Sequence, residues 1–477
     1  MVMKQILDDD ATALADKIKT GQYSSLEVTS AYIEHLERAN KSVNCVTADR
    51  YDIAKQEAID ADIKLQNNEP VGRLHGVPIS IKDCFHVAGM ATTGGLIHRK
   101  DNIEPRDAEA VALLRREGAI IIGKTNTPTL CFCQETDNKL YGRTNNPWDL
   151  SRSVGGSSGG EGALIALGGA AVGLGADIGG SIRFPSHNNG IVGFKSGDKQ
   201  VSAVGNFPHV TIPEQDRMLG IGAMSKSVRD ARLMNEILTA GKRKFVDLDA
   251  YELVMPYKQP NIPLDETTDQ LMEQLRAKLA ADYKVGSELP PLFEDCALIW
   301  QELMSIDGAK HIVKILAEDG SKKYPLWEFV KEKVSRKSDL HSYMSWALIG
   351  ARTFKPSEAR LVEIRKLLAA GDQQIAQYFN NKILIIPVYH EAAQKHGKLY
   401  SEIFSINKTY KQYMPYIAYA NVWGLPSLTM PIGTDEAGMP VGVQLICNIG
   451  NEEAIFQLGE WLEEEMYRYK RCTTYDA

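Results

Sequence analysis

Three short stretches carry residue types that suit acyl-transfer chemistry. Ile178-Gly179-Gly180-Ser181 sets a hydroxyl directly after two glycines. Acyl transfer needs a hydroxyl or thiol nucleophile and a base to take its proton. It also needs convergent backbone N–H groups aimed at the developing oxyanion. Glycines let consecutive N–H groups turn toward one point, so this stretch has the form of a nucleophile in an oxyanion hole. No G-x-S-x-G elbow surrounds Ser181, so Ser181 is not set as an α/β-hydrolase nucleophile is. A second serine pair lies upstream in Gly155-Gly156-Ser157-Ser158-Gly159-Gly160.

A base must accompany the nucleophile. His187 is the one histidine near these loops. A lysine can serve instead when burial disfavours its charged form. Lys82 is the candidate, since it ends an apolar strand pattern with Val77, Ile79 and Ile81. Asp83 follows it, and a touching carboxylate would hold the lysine protonated. Successive strand side chains point to opposite faces, so Asp83 need not touch Lys82. An apolar strand that ends in Lys-Asp is by itself more often structural.

The glycines also admit plainer readings. Of 39 glycines, 14 lie within residues 155–197, which asks for a backbone reason. A phosphate-cradling loop would need G-x-x-x-x-G-K-[ST], and no lysine follows a glycine of this block at that spacing. Gly173, Gly175 and Gly179 fall one residue long of the dinucleotide fingerprint, with Asp198 about 20 residues on. Within residues 155–197 neither nucleotide pattern is met.

The elements that must position these residues can be read from hydrophobic periodicity. Residues 11–40 predict two helices, the second opened by a Ser24–Glu27 capping box. Gly76 to Asp83 reads as a strand, Ala108 to Glu117 as a helix and Ala119 to Gly123 as a buried strand. An Ala/Leu helix follows the serine loop, and another helix spans 225–240. Residues 265–380 look mostly helical. Ile383 to Val388, Leu425 to Ile432 and Val441 to Ile446 read as strands, and Glu452 to Glu465 as a closing amphipathic helix. This alternation predicts an α/β layered fold. No linker or repeat interrupts it, which favours one continuous domain.

Composition narrows the function classes. The chain has 477 residues, with 54 Lys+Arg against 61 Asp+Glu and a net charge of −7. That balance argues against a dedicated nucleic-acid binder. The uncharged run between Glu161 and Asp177 is 15 residues, short of a bilayer span and rich in Gly and Ala. It reads as buried core. Met1 to Asp10 has no apolar stretch of the kind a secretory signal carries. Seven scattered cysteines do not suggest a disulfide framework, and a reducing cytoplasm fits them. Cys131-Phe132-Cys133 is a C-x-C without a second cysteine pair or a histidine cluster, so it does not read as a metal site.

Taken together, the chain resembles the amidase signature family, most closely its fatty acid amide hydrolase branch, as a soluble, bacterial-like member. The resemblance rests on Lys82 at a strand end, the Gly155 to Gly160 serine loop, and Asp177-Ile178-Gly179-Gly180-Ser181-Ile182-Arg183. Asn145-Asn146-Pro147-Trp148, Gly424-Leu425-Pro426 and Gly438 to Gln444 fit as well. The branch is suggested by Glu161-Gly162-Ala163-Leu164-Ile165 and by Arg183-Phe184-Pro185-Ser186. Ser196-Gly197 and Val154 depart from the common pattern.

The resemblance implies a large α/β domain with a central mixed, twisted sheet covered by helices on both faces. It covers 70–240 and 410–465, and leaves about 245–400 as a variable, substrate-selecting helical region. It implies Ser181 as nucleophile, Ser157 as a bridging serine held through a cis peptide, and Lys82 as base. Ile178, Gly179 and Gly180, with Ser181, would supply the oxyanion hole. Cys131, Phe132 and Cys133 would border the substrate channel. Trp300, Leu303, Met304, Trp327, Phe329, Tyr343, Met344, Trp346 and Phe354 could line an acyl channel. The reaction implied is serine-dependent hydrolysis of an amide, with a fatty N-acyl amide as substrate and no metal or organic cofactor. A short-chain or aryl amidase, and the A subunit of a glutamyl-tRNA amidotransferase, are the alternatives. A cytoplasmic protein without a transmembrane segment is expected, and a homodimer is compatible with the sequence.

Overall fold

The computed structural model describes residues 2–476 apart from 242–244, 257, 259–261 and 404–408. Its strands are β1 (Val46–Asp49), β2 (Pro78–Lys82), β3 (Ile120–Thr125), β4 (Val172–Asp177), β5 (Val192–Lys195) and β6 (Gly220–Ser225), followed by β7 (Glu252–Val254), β8 (Val285–Gly286), β9 (Lys382–Pro387), β10 (Ser427–Thr434) and β11 (Pro440–Ile446). All eleven join one sheet in the order β1-β3-β2-β4-β6-β5-β10-β11-β9-β7-β8. β2 runs parallel to both β3 and β4. β4, β6, β5, β10, β11 and β9 alternate in direction, and β7 lies parallel to β9 and β8. The sheet is mixed, as expected.

Strand side chains alternate between faces, and the core follows that period. Ile79 and Ile81 of β2, Ile121 of β3, Ile383 and Ile385 of β9, and Val443 of β11 pack into one cluster with helices Val228–Thr239 and Glu452–Glu465. The alternate residues Ile120 and Ile122 pack on the other face with helix Gly159–Ala166. Leu384, Ile386 and Ile446 join Tyr416 and Ile417 on that second face. Ile79 and Ile81 are fully buried, and each contributes about 2 kcal/mol relative to exposure. Because they face the first layer, Ser80 and Lys82 face the second, where the serine loop and its helix lie.

Most expected elements form where the periodicity puts them. Helices Ala11–Lys19 and Ser25–Val43 appear, and the capping box is closed by Glu27 N–H to Ser24 Oγ at 3.0 Å and Ser24 N–H to Glu27 Oε2 at 2.7 Å. The closing helix runs Glu452–Glu465. The uncharged run after Glu161 is buried throughout, as helix and then β4. Gly173, of the near-miss fingerprint, belongs to β4. A Cβ there would sit 2.9 Å from Ser80 Oγ and closer still to the Glu161 carboxylate, so this glycine admits a buried side chain rather than a phosphate. Among its described residues the 245–400 region is mostly helical, from Glu266–Asp282 to Glu358–Tyr378. It also supplies β7, β8 and β9, so it extends the sheet rather than hanging from it.

Candidate active site

Lys82 is fully buried. Its Nζ donates to Ser157 Oγ at 2.7 Å and to the Ala176 carbonyl at 3.3 Å. Asp83 points the other way, as strand alternation predicts. Its carboxylate pairs with Lys124 Nζ at 2.8 Å and accepts from Thr93. The neighbouring acid therefore leaves Lys82 to Ser157.

Ser157 follows a cis Gly156–Ser157 peptide. The next residue, Ser158, donates its N–H to the Ser181 carbonyl at 3.0 Å, which ties the two serine loops together. His187 does not take part. Its Nε2 meets the Glu391 carbonyl at 3.0 Å, and its Nδ1 accepts from Gly442 N–H at 2.9 Å. That places it as a brace between helix Arg183–Asn189 and β11.

The Ser181 loop is held by a buried ion pair. Asp177 and Arg183 are both fully buried and meet at 3.1 Å. Asp177 also accepts from Gly180 N–H at 2.8 Å and Ile182 N–H at 3.1 Å. Arg183 goes on to the Ile417 carbonyl at 2.8 Å, Gln444 Oε1 at 3.0 Å, and Asn421. Burial raises the Asp177 carboxyl, but the Arg183 charge and hydrogen bonds outweigh it and hold it well below the ordinary range. Gly180 takes φ +92, a region that disfavours side chains. Its N–H, expected among the oxyanion donors, is already given to Asp177, because a buried carboxylate must find donors. The carbonyls of the loop face outward to side chains, with Trp300 Nε1 on Ile178 O at 2.8 Å and Gln134 Nε2 on Gly179 O at 3.2 Å.

One buried acid was not singled out by sequence reasoning. Glu161 lies on the helix behind Lys82 and accepts from Ser80 Oγ at 2.5 Å and Thr125 Oγ1 at 2.9 Å. A lone charge inside an Ala/Leu helix was the available signal. Burial pushes its carboxyl up to about 7, against those hydroxyls and the Lys82 charge. An unfolded glutamate titrates near ~4.3. Between those values the folded chain holds the extra proton, so this group's contribution to stability falls as pH rises through that window. Glu161→Gln removes the penalty. The stability of the variant relative to wild type, followed by thermal melting, is expected to rise from pH 5 to pH 8, with a limit on the order of 3 kcal/mol. A pH-independent difference would mean that Glu161 is ionised in the fold throughout.

Ser181 opens on two cavities. The first, about 1040 Å³ with its mouth, is lined by Cys131, Phe132 and Cys133, and by Trp300, Met304, Trp346 and Phe354 from the 245–400 region. The second, about 980 Å³, holds Lys82, Ser157 and Ser181 together, with Cys84, Cys131 and His209. Of the expected channel residues, Met344 lines the second cavity. Leu303 is core. Phe329 packs against Trp346 with the rings tilted and their centroids 5.6 Å apart. Tyr343 is buried, accepting from Thr129 N–H at 2.8 Å. Trp327 lies on the surface at 64% exposure, because its helix Pro325–Ser335 turns it away from the cavity. Leu130, and Phe207 after its neighbouring loop, line the second cavity without having been expected there.

Among the described residues, His390, Glu391 and Glu402 could share a metal ion. Lys398 already supplies a cation there, 2.7 Å from Glu391 and 3.9 Å from Glu402, so the cluster is satisfied as an ion-pair network. Among the same residues no helix is long and apolar enough to cross a membrane.

Known proteins agree with this architecture. A family model described as amidase matches residues 27–456. Fatty-acid amide hydrolase 2-B of Danio rerio is 33% identical over 97% of this chain and 90% of its own length. Fatty-acid amide hydrolase 2 of Homo sapiens is 28% identical over 94% and 88%. A solved structure of a fatty acid amide hydrolase superposes with a TM-score of 0.81 over 97% of this chain and 86% of that one, at 22% identity, a likeness of fold. The family match runs through the lysine strand, both serine loops and the closing strands alike, and the chain belongs to the amidase signature family of amide hydrolases.

Proposed function

We propose that this chain cleaves N-acyl amides with a hydrophobic acyl chain through an acyl-enzyme on Ser181. The observation that supports this most is the 2.7 Å contact between buried Lys82 Nζ and Ser157 Oγ, in the cavity that also holds Ser181. Lys82 in its uncharged form takes the Ser157 proton, and Ser157 takes that of Ser181. Ser181 Oγ then attacks the amide carbonyl. The N–H groups of Ile178, Gly179 and Ser181 face the oxyanion, while that of Gly180 holds the loop to Asp177. Ser157 next protonates the departing nitrogen, which leaves poorly as an anion. Water resolves the acyl-enzyme along the same relay.

The two cavities suggest how the substrate lies. Ser157 lines only the second, so the amine leaves there, among polar side chains such as Asn206 and His209. The acyl chain then enters the first, against Phe132, Trp300, Met304 and Phe354. Most of its wall comes from the 245–400 region, which we take as the substrate-selecting part of a single catalytic domain spanning 1–477, with its core in 70–240 and 410–465. The seven free thiols suit a reducing cytoplasm. A series of N-acyl amides from acetamide upward tests this. Each added methylene that enters an apolar wall is worth about 0.8 kcal/mol, so kcat/KM is expected to climb by roughly threefold or more per carbon until the cavity is filled. Best turnover on acetamide or propionamide would reject the fatty-acyl reading.

A further inference from the structure

Amide hydrolysis leaves two thiols beside the reacting groups without a task. Cys84 stands two residues after Lys82 and donates its N–H to the Lys82 carbonyl at 2.7 Å. It is fully buried. Cys131 ends the turn Thr129–Cys131, where Leu130 and Cys131 both take positive φ, 55 and 58. It is half-buried and lines both cavities at Ser181. Thr127 Oγ1 donates to its Sγ at 3.2 Å, and Cys84 lines the second of these cavities with it. Cys131 thus borders both cavities, and Cys84, next to the lysine strand, borders the second.

We propose that Cys131 and Cys84 form a peroxide-responsive pair, in which Cys131 is attacked first, Cys84 resolves it, and the resulting disulfide beside Lys82 switches amide hydrolysis off. Peroxide-sensing cysteines share three traits: thiolate character, access, and a resolving thiol at hand. Cys131 has all three. The Cys84 thiol, with the Lys82 charge and the Thr127 hydroxyl, outweighs burial and brings its thiol down to about 6. Burial pushes Cys84 well up, which suits a thiol that stays protonated.

The chemistry balances with hydrogen peroxide as oxidant. The Cys131 thiolate attacks one peroxide oxygen. An S–O bond forms, the O–O bond breaks and hydroxide leaves, so sulfur loses two electrons and peroxide gains them. The Cys84 thiol, giving up its proton, attacks the Cys131 sulfenic sulfur. An S–S bond forms and water leaves. The sulfurs must then close to about 2.05 Å, well inside any non-bonded separation. The turn that carries Cys131 and Phe132 is drawn toward the strand end that carries Lys82, which disturbs both the cavity wall and the Lys82–Ser157 contact.

The inhibition rests on the amide-hydrolysis reading, whereas the covalent step does not, and the experiment separates them. The full-length protein is treated with hydrogen peroxide, digested without reductant and analysed by mass spectrometry, with activity followed in parallel. The expected product is one linked peptide pair, Cys84 to Cys131, lighter by two hydrogens than its parts. Activity is expected to fall at least about tenfold and to return with dithiothreitol. Cys131→Ser should form no link and keep its own untreated rate within about twofold. Cys84→Ser should yield a dimedone adduct on Cys131 and a loss that dithiothreitol no longer reverses, as oxidation runs on to the sulfinic acid. The proposal is overturned if neither the link nor the adduct forms at Cys131, or if Cys131→Ser loses its rate to peroxide as wild type does. A link formed in a protein with no amidase activity before treatment would instead reject the function and leave the thiol pair standing.

Discussion

Ser181→Ala is expected to lower kcat for amide hydrolysis by at least about 10⁴-fold and to leave the fold in place. The side-chain oxygen is the only atom removed. The backbone tie from Ser158 N–H to the Ser181 carbonyl stays, and so do the Asp177 and Arg183 bonds that shape the loop. Stability should therefore change by less than about 1 kcal/mol. Ser157 is not expected to stand in, because its hydroxyl is held by Lys82, on the far side of the proposed relay. Both cavities persist, so substrate should still bind, and the loss should appear in kcat rather than in binding. A fluorophosphonate that labels wild-type protein should fail to label the variant. Turnover within tenfold of wild type, or labelling that survives the substitution, would place the nucleophile elsewhere.

The local signals in the sequence were those with a short-range cause. β2, β3, β9 and β11 are short runs rich in Ile, Val and Leu whose burial makes them strands, and they formed within a residue or two of their expected bounds. The lysine at a strand end and the serines among glycines were equally legible, since each is set by its immediate neighbours. The direction of Asp83 followed from strand period alone. What stayed hidden depends on contacts across long sequence separations. Trp300 caps the Ile178 carbonyl from 122 residues away, and Asn421 braces Asp177 from 244. Glu161 reads as one charge in an apolar helix until Ser80 and Thr125 come from two other strands to meet it. Trp327 reads like Trp346, yet one lies on the surface and the other lines the cavity. Composition carries no term for which side of a helix finds a partner. Gly180 was expected to offer its N–H to substrate, and only the folded loop reveals that Asp177 takes it.

Lys82→Ala is the sharper test of the relay, because it should separate amides from esters. Removing a positioned base costs about 10²–10⁴-fold, and the amide should lose the more. An alkoxide leaves without help, whereas an amine needs the proton that Ser157 delivers. In the proposed relay Lys82 sends that proton to Ser157, whose Oγ lies 2.7 Å from its Nζ, so its loss should affect attack on both substrates but leaving-group departure chiefly on the amide. Ester and amide of the same acyl chain should thus approach one another in kcat/KM in the variant. The fold should tolerate the change. The one buried acid behind Lys82 is Glu161, whose carboxyl already titrates at about 7 with the lysine charge pulling it down. Without that charge it moves further up and stays neutral at pH 7, so no unpaired anion is left buried. Equal losses on amide and ester would reduce Lys82 to an orienting group for Ser157. Wild-type rates on both would mean that the base lies elsewhere.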